Sequence, residues 1–113
     1  MDALIIKKPH IDNILSGIKT WEIRGSSTKK RGKIGLIESG SKTIVGEVEL
    51  VDSIELTDEL IRTNADKHLA KNITYKKPHA WVLKNAKRYE TPIPYKHPLG
   101  AIIWVKLIED ILV

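Results

Sequence analysis

GIKTWEIRG, residues 17–25, decides how this chain is read. A lysine, a glutamate and an arginine stand there among apolar residues. Trp21 and Ile23 fall on one parity, and Thr20, Glu22 and Arg24 on the other, which is the two-residue period of a strand with one buried face. The apolar pair is expected to enter the barrel core, with Glu22 and Arg24 on the opposite face about 7 Å apart. Lys19 lies at the joint before the strand, where strict alternation lapses, so its amine is within reach of Glu22. On a solvated surface such a pair contributes at most about 1 kcal/mol. In a site each charge has work: Arg24 offers a planar fork to a phosphate or base edge, Glu22 takes a proton from water or a ribose hydroxyl, and Lys19 stabilises negative charge. A lysine beside a carboxylate stays charged unless burial prevails.

The flanks extend the pattern. ALIIK (3–7) predicts a buried strand. Pro9, then Ile11, Ile14 and Leu15 at helical spacing, then Gly17, predict a helix over 9–16. GSSTKKRG (25–32) reads as a turn-rich basic loop. KIGLIES (33–39) and TIVGEVELVDSIEL (43–56) read as strands joined by the turn SGSK, with Gly46 marking a bulge or a close backbone approach. Thr57 caps a helix predicted over 58–70, whose stripe is Leu60, Ile61, Ala65 and Leu69. NITYKKP is a loop, HAWVL a short strand, NAKRYETPIPYKHP a surface-wrapping loop with three prolines, and LGAIIWVKL a strong closing strand. The expected class is α+β: a small β-barrel of about five or six strands with two or three short helices. One domain over 1–113 is expected.

Composition narrows the partners. The net charge is +5 with a pI near 9.5, which favours polyanions, nucleic acid first. No cysteine is present, so disulfides and cysteine-ligated zinc are excluded. No apolar run suits a signal peptide or a membrane span, so a soluble, cytoplasmic protein without membrane contact is expected. No cofactor or metal is expected: His10, His68, His79 and His97 lack ligand spacing.

Secondary candidates surround the motif. Lys29, Lys30, Arg31 and Lys33 form the densest basic cluster, a lip for a nucleic-acid backbone or a solvated loop. The ESGSK turn offers Ser39, Ser41 and Lys42 to an anion, without phosphate-loop spacing. Trp81, Tyr89, Tyr95 and Trp104 are the aromatics left for base stacking; Trp104 reads as core, and Tyr95 with His97 as a cleft wall. A histidine pair acting as ribonuclease acid and base is a further reading.

GIKTWEIR also matches the G-x-K-x-x-E-x-R signature of the ASCH domain, a branch of the PUA-like barrels. The strand and helix before it, the basic RG loop after it, IVGEVEL and GAIIWVKL resemble that family over nearly the whole chain, which looks like a stand-alone ASCH protein. The resemblance implies a PUA-like barrel whose motif lines a cleft, acting on RNA or nucleosides. Some members look like ribonucleases, and one branch removes an acyl group from N4-acetylcytidine with the motif lysine, here Lys19, and a threonine three positions later, where this chain has Glu22. The implied function is an RNA- or nucleoside-binding domain, with a small hydrolase as the alternative and an adaptor third.

Overall fold

The computed structural model describes residues 1–112. Six strands form one sheet in the order β2-β5-β4-β3-β1-β6. They are β1 (Asp2–Ile6), β2 (Trp21–Arg24), β3 (Gly32–Glu38), β4 (Thr43–Glu55), β5 (His79–Pro94) and β6 (Trp104–Lys106). Three short helices complete it: α1 (His10–Leu15), α2 (Asp58–Thr63) and α3 (Ala65–His68). Only β1 and β3 run parallel, and α1 and β2 lie between them in the chain. The class is α+β and the sheet curls into a half-barrel. Across its inside Trp81, beside one edge, stacks on Trp104 of the other edge strand, with ring centroids 5.7 Å apart.

The strand built on the opening motif alternates as expected, but its two faces point otherwise than the sequence suggested. Trp21 pairs with Val82 and Ile23 with Ala80, and this face packs outward against α2 and α3, on Leu56, Leu60, Ile61 and Ile73. Glu22 pairs with Trp81, a member of the main core with Leu4, Ile6, Leu36, Leu50 and the α1 residues Ile11, Ile14 and Leu15. Cross-strand partners share a face, so the charged side of β2 looks into the half-barrel and the apolar side serves a satellite core.

Other expectations needed correction. The helix over 58–70 breaks at Asn64, whose amide donates to Leu60 O at 2.8 Å and whose backbone leaves the helical region. The proline-bearing loop is a strand instead: β5 continues through Pro94 against β4. Pro92 and Pro94 are two residues apart, so their missing N–H groups lie on one edge, and β2 covers that edge only as far as Val82. The closing strand is shorter than its apolar run, because Leu99 and Ile102 stand exposed on a turn.

Gly46 behaves as the alternation implied. A Cβ there would lie 2.5 Å from both Leu15 Cδ2 and Lys87 O, so α1 seats directly on the strand, and the β4–β5 register shifts beside it.

Candidate functional site

Lys19 is placed by the chain on both sides of it. Gly17 reverses the backbone after α1 with φ +87°, and Lys19 N–H donates to Asn13 O at 3.0 Å. Thr20 then joins the sheet through its C=O, which accepts from Leu83 N–H, while its N–H donates to Lys67 O on α3. The Lys19 side chain has nowhere to go but inward: the residue is 2 % exposed, and its amine donates to the backbone carbonyl of His68.

That amine lies 3.7 Å from Glu22 Oε1. The other carboxylate oxygen, Oε2, accepts from Arg24 Nη2 at 2.9 Å and Nε at 3.2 Å. Arg24 Nη2 also donates to Ile5 O at 3.0 Å on β1, and its guanidinium stands 5.6 Å from the Trp81 ring centre. The three charges therefore form a row of donor, acceptor and donor, Lys19 and Glu22 buried and Arg24 half-buried, with one positive charge in excess. Burial pushes the Lys19 amine below its ordinary 10.5, and Glu22 opposes that fall. The surface ion pair considered from sequence is not what the structure contains.

The row forms the floor of a cleft of about 360 Å³. Ile5, Lys7 and His10 line it on one side and Asn72, Ile73, Thr74 and Tyr75 on the other. Sequence reasoning missed this second wall, because residues 72–78 read as a plain loop. The signal lay in the motif: a Cβ on Gly25 would meet the Tyr75 ring at 2.7 Å, so that glycine seats the aromatic at the cleft mouth. His68 was missed too. Its ring Nε2 faces Ile61 O at 2.8 Å and therefore carries the hydrogen, while Nδ1 accepts from Ala70 N–H at 2.9 Å. Both ring nitrogens are used to hold the carbonyl that receives Lys19.

The remaining candidates divide. Ser39, Lys42, Tyr95 and His97 meet around a second chamber of about 260 Å³. Ser41 does not join them, because its hydroxyl donates to Glu38 O at 2.7 Å and closes the turn. Lys29, Lys30 and Arg31 line neither chamber. Lys30 bonds Asp2 at 2.6 Å and covers the Trp104 ring, Arg31 donates to Thr28 O at 2.8 Å, and Trp81 Nε1–H reaches Ser26 O at 2.9 Å. The basic loop plugs the seam of the half-barrel. Lys33 pairs with Glu47 at 3.0 Å, which also receives the Tyr89 hydroxyl. Both nitrogens of His97 are engaged, by Tyr95 OH at 2.8 Å and Ala101 O at 2.7 Å, which disfavours its use as a free acid or base. Among the described residues no three His, Asp or Glu side chains converge as a metal cluster, and no helix is long and apolar enough to cross a membrane.

A curled six-stranded sheet with a charged cleft beside its edge strand defines a class of small α+β half-barrels. The ASCH domain profile matches residues 4–93, and the chain belongs to that family. The crystal structure of ASCH from Zymomonas mobilis superposes with a TM-score of 0.75 at 15% identity, covering 96% of this chain and 88% of that one. Two mutant forms of the same protein give 0.75 and 0.74 at 15% identity, again over 96% of this chain and over 89% and 91% of theirs. At that identity the likeness is one of fold. No curated protein is similar enough in sequence to count as a relative.

Proposed function

We propose that the cleft binds a nucleoside, free or as an unstacked base of single-stranded RNA, with Lys19, Glu22 and Arg24 meeting its polar edge. One observation carries this reading: all three motif charges meet on the floor of a single cleft, Lys19 and Glu22 buried and Arg24 half-buried. Buried charges are costly to keep unless something uses them. A base edge presents donors and acceptors side by side, and the floor answers with a carboxylate between two cationic donors. A volume near 360 Å³ falls at the lower end of the range of about 300–1,000 Å³ for small-molecule sites.

The test is a titration of the four nucleosides, N4-acetylcytidine and short RNAs against the natural protein, Lys19→Met and Glu22→Gln. One ligand of this class is expected to saturate, and each variant to weaken it at least about tenfold, the effect of losing a hydrogen bond to a charged group. Saturation by none of them, or equal affinity across the variants, overturns the reading.

A second reading has its own support in the lowered pKa of Lys19. An amine whose charge burial disfavours gives up its proton more readily. On an acylated nucleoside, Glu22 would take a proton from water as the oxygen adds to the amide carbonyl. Lys19 would hand its proton to the leaving nitrogen as the C–N bond breaks, releasing the carboxylic acid and the nucleoside. Glu22→Gln would then lower turnover by roughly 10²–10⁴-fold, and a flat turnover rate would end this reading.

A further inference from the structure

The cleft continues past its charged floor. The second chamber adjoins the first, with Ile5, Ser39 and Ile102 lining both, along the end of β1. Their characters differ. The first holds a carboxylate between two cations. The second is walled by Ile5, Ile37, Ala101 and Ile102, and among its lining residues Lys42 is the one permanent charge.

This second wall is built rather than incidental. Tyr95 is 4 % exposed, its hydroxyl meets His97 Nδ1 at 2.8 Å, and His97 Nε2–H donates to Ala101 O at 2.7 Å, so three residues are braced across the turn that carries Ile102. Tyr95 N–H also bonds Lys42 O at 3.2 Å, which fixes the hairpin tip beside the chamber. Ile102 is 79 % exposed although it lines both chambers, an apolar side chain standing in water at the point where they meet.

Resting on the nucleoside reading of the first chamber, we infer that the groove holds two consecutive nucleosides of one strand. The first base lies on the Lys19–Glu22 floor, the linking phosphate passes the hairpin tip at Ser39 and Lys42, and the second base lies against the apolar wall. The preferred ligand class is a phosphodiester-linked pair rather than a free nucleoside. On the floor Lys19 and Arg24 are already paired with Glu22, whereas Lys42 stands at the junction without an ion pair among the described residues and draws the phosphate there. The second base meets a mostly apolar wall whose Tyr95 and His97 polar atoms already bond each other and Ala101, so selectivity belongs to the first base and tolerance to the second.

The experiment compares one nucleoside with its 3′–5′ dinucleoside monophosphates, on the natural protein and on Lys42→Gln, over a range of salt. The dinucleotide is expected to bind about tenfold tighter, the scale of one charge-assisted contact plus partial stacking. Its log affinity should fall against log salt by about 0.7 more than that of the nucleoside. In Lys42→Gln the ratio of the two affinities should drop toward one and the extra salt slope should vanish. Ala101→Leu, which fills the second chamber, should lower the dinucleotide affinity, with thermal unfolding used to confirm that the variant folds. If the nucleoside binds and the dinucleotide binds no tighter, or if Lys42→Gln leaves the ratio unchanged, the two-chamber inference is overturned while the floor reading stands. If neither ligand binds, both fall.

Discussion

Two basic regions stand side by side in the sequence, Lys19 and Arg24 in the motif and Lys29 to Lys33 in the loop that follows, and the fold treats them oppositely. The motif charges gather around one buried carboxylate inside the half-barrel, Lys19 buried and Arg24 half-buried. The loop charges stay in water: Lys30 and Asp2 keep 40% and 33% of their side-chain surface exposed while bonded at 2.6 Å. The loop has more charge and the motif has less solvent. Burial decides which charges have large energetic consequences, because attraction in water is screened far more than attraction in a protein interior.

Removing the central carboxylate should give the largest effect. Glu22→Leu leaves Lys19 and Arg24 facing each other without compensation, and breaking a buried pair from one side costs about 3–5 kcal/mol. Urea unfolding measures it. A loss below about 1 kcal/mol would mean that the motif charges are as well solvated as the loop charges.

A smaller effect follows from pH. The folded pKa of Lys19 lies below its ordinary 10.5, so between the two values the unfolded chain binds more protons than the folded one. Stability contributed by this group therefore rises with pH across that window, and the burial penalty is fully present below the folded value. Lys19→Met should lose this rise. Tyr89, whose pKa burial and then Glu47 push up to about 12, acts in the opposite direction only above pH 10. The difference between the natural protein and Lys19→Met, taken pH by pH up to 10, isolates Lys19. A flat difference contradicts the burial described for this amine.

The loop should respond least. Lys30→Ala is expected to cost about 1 kcal/mol or less, fading as salt is raised. Alanine at Lys29, Lys30 and Arg31 together should leave nucleoside affinity within about twofold, the usual scale for surface changes. A tenfold loss would bring the loop back to the ligand.

How much of this was legible in the chain depends on whether the signal was local. Lys19, Glu22 and Arg24 were readable as a group because strand parity and the family signature coincide on eight residues. Gly46 was readable because a gap in alternation has few causes. The direction of the β2 faces was not, since a strand's parity says which residues go together and not which side the helices cover. Tyr75 and the carbonyl of His68 come to the cleft from more than forty residues away in the chain, and no local pattern announces that. The extent of β5 was hidden by Pro92 and Pro94, which suppress a strand reading unless the open edge is known. Ser39 and Lys42 lie in one turn and Tyr95 and His97 in a distant proline-bearing stretch, and only the fold brings the four around one second chamber.

The burial of the Lys19 amine, and its proposed place at a ligand-binding floor, are tested most directly by its own titration. With lysine side chains labelled at nitrogen, Lys19 should titrate below 10.5 and its signal should move when a bound nucleoside is added, while Lys29 and Lys30 stay put. A Lys19 that titrates with the surface lysines and ignores the nucleoside would contradict the account.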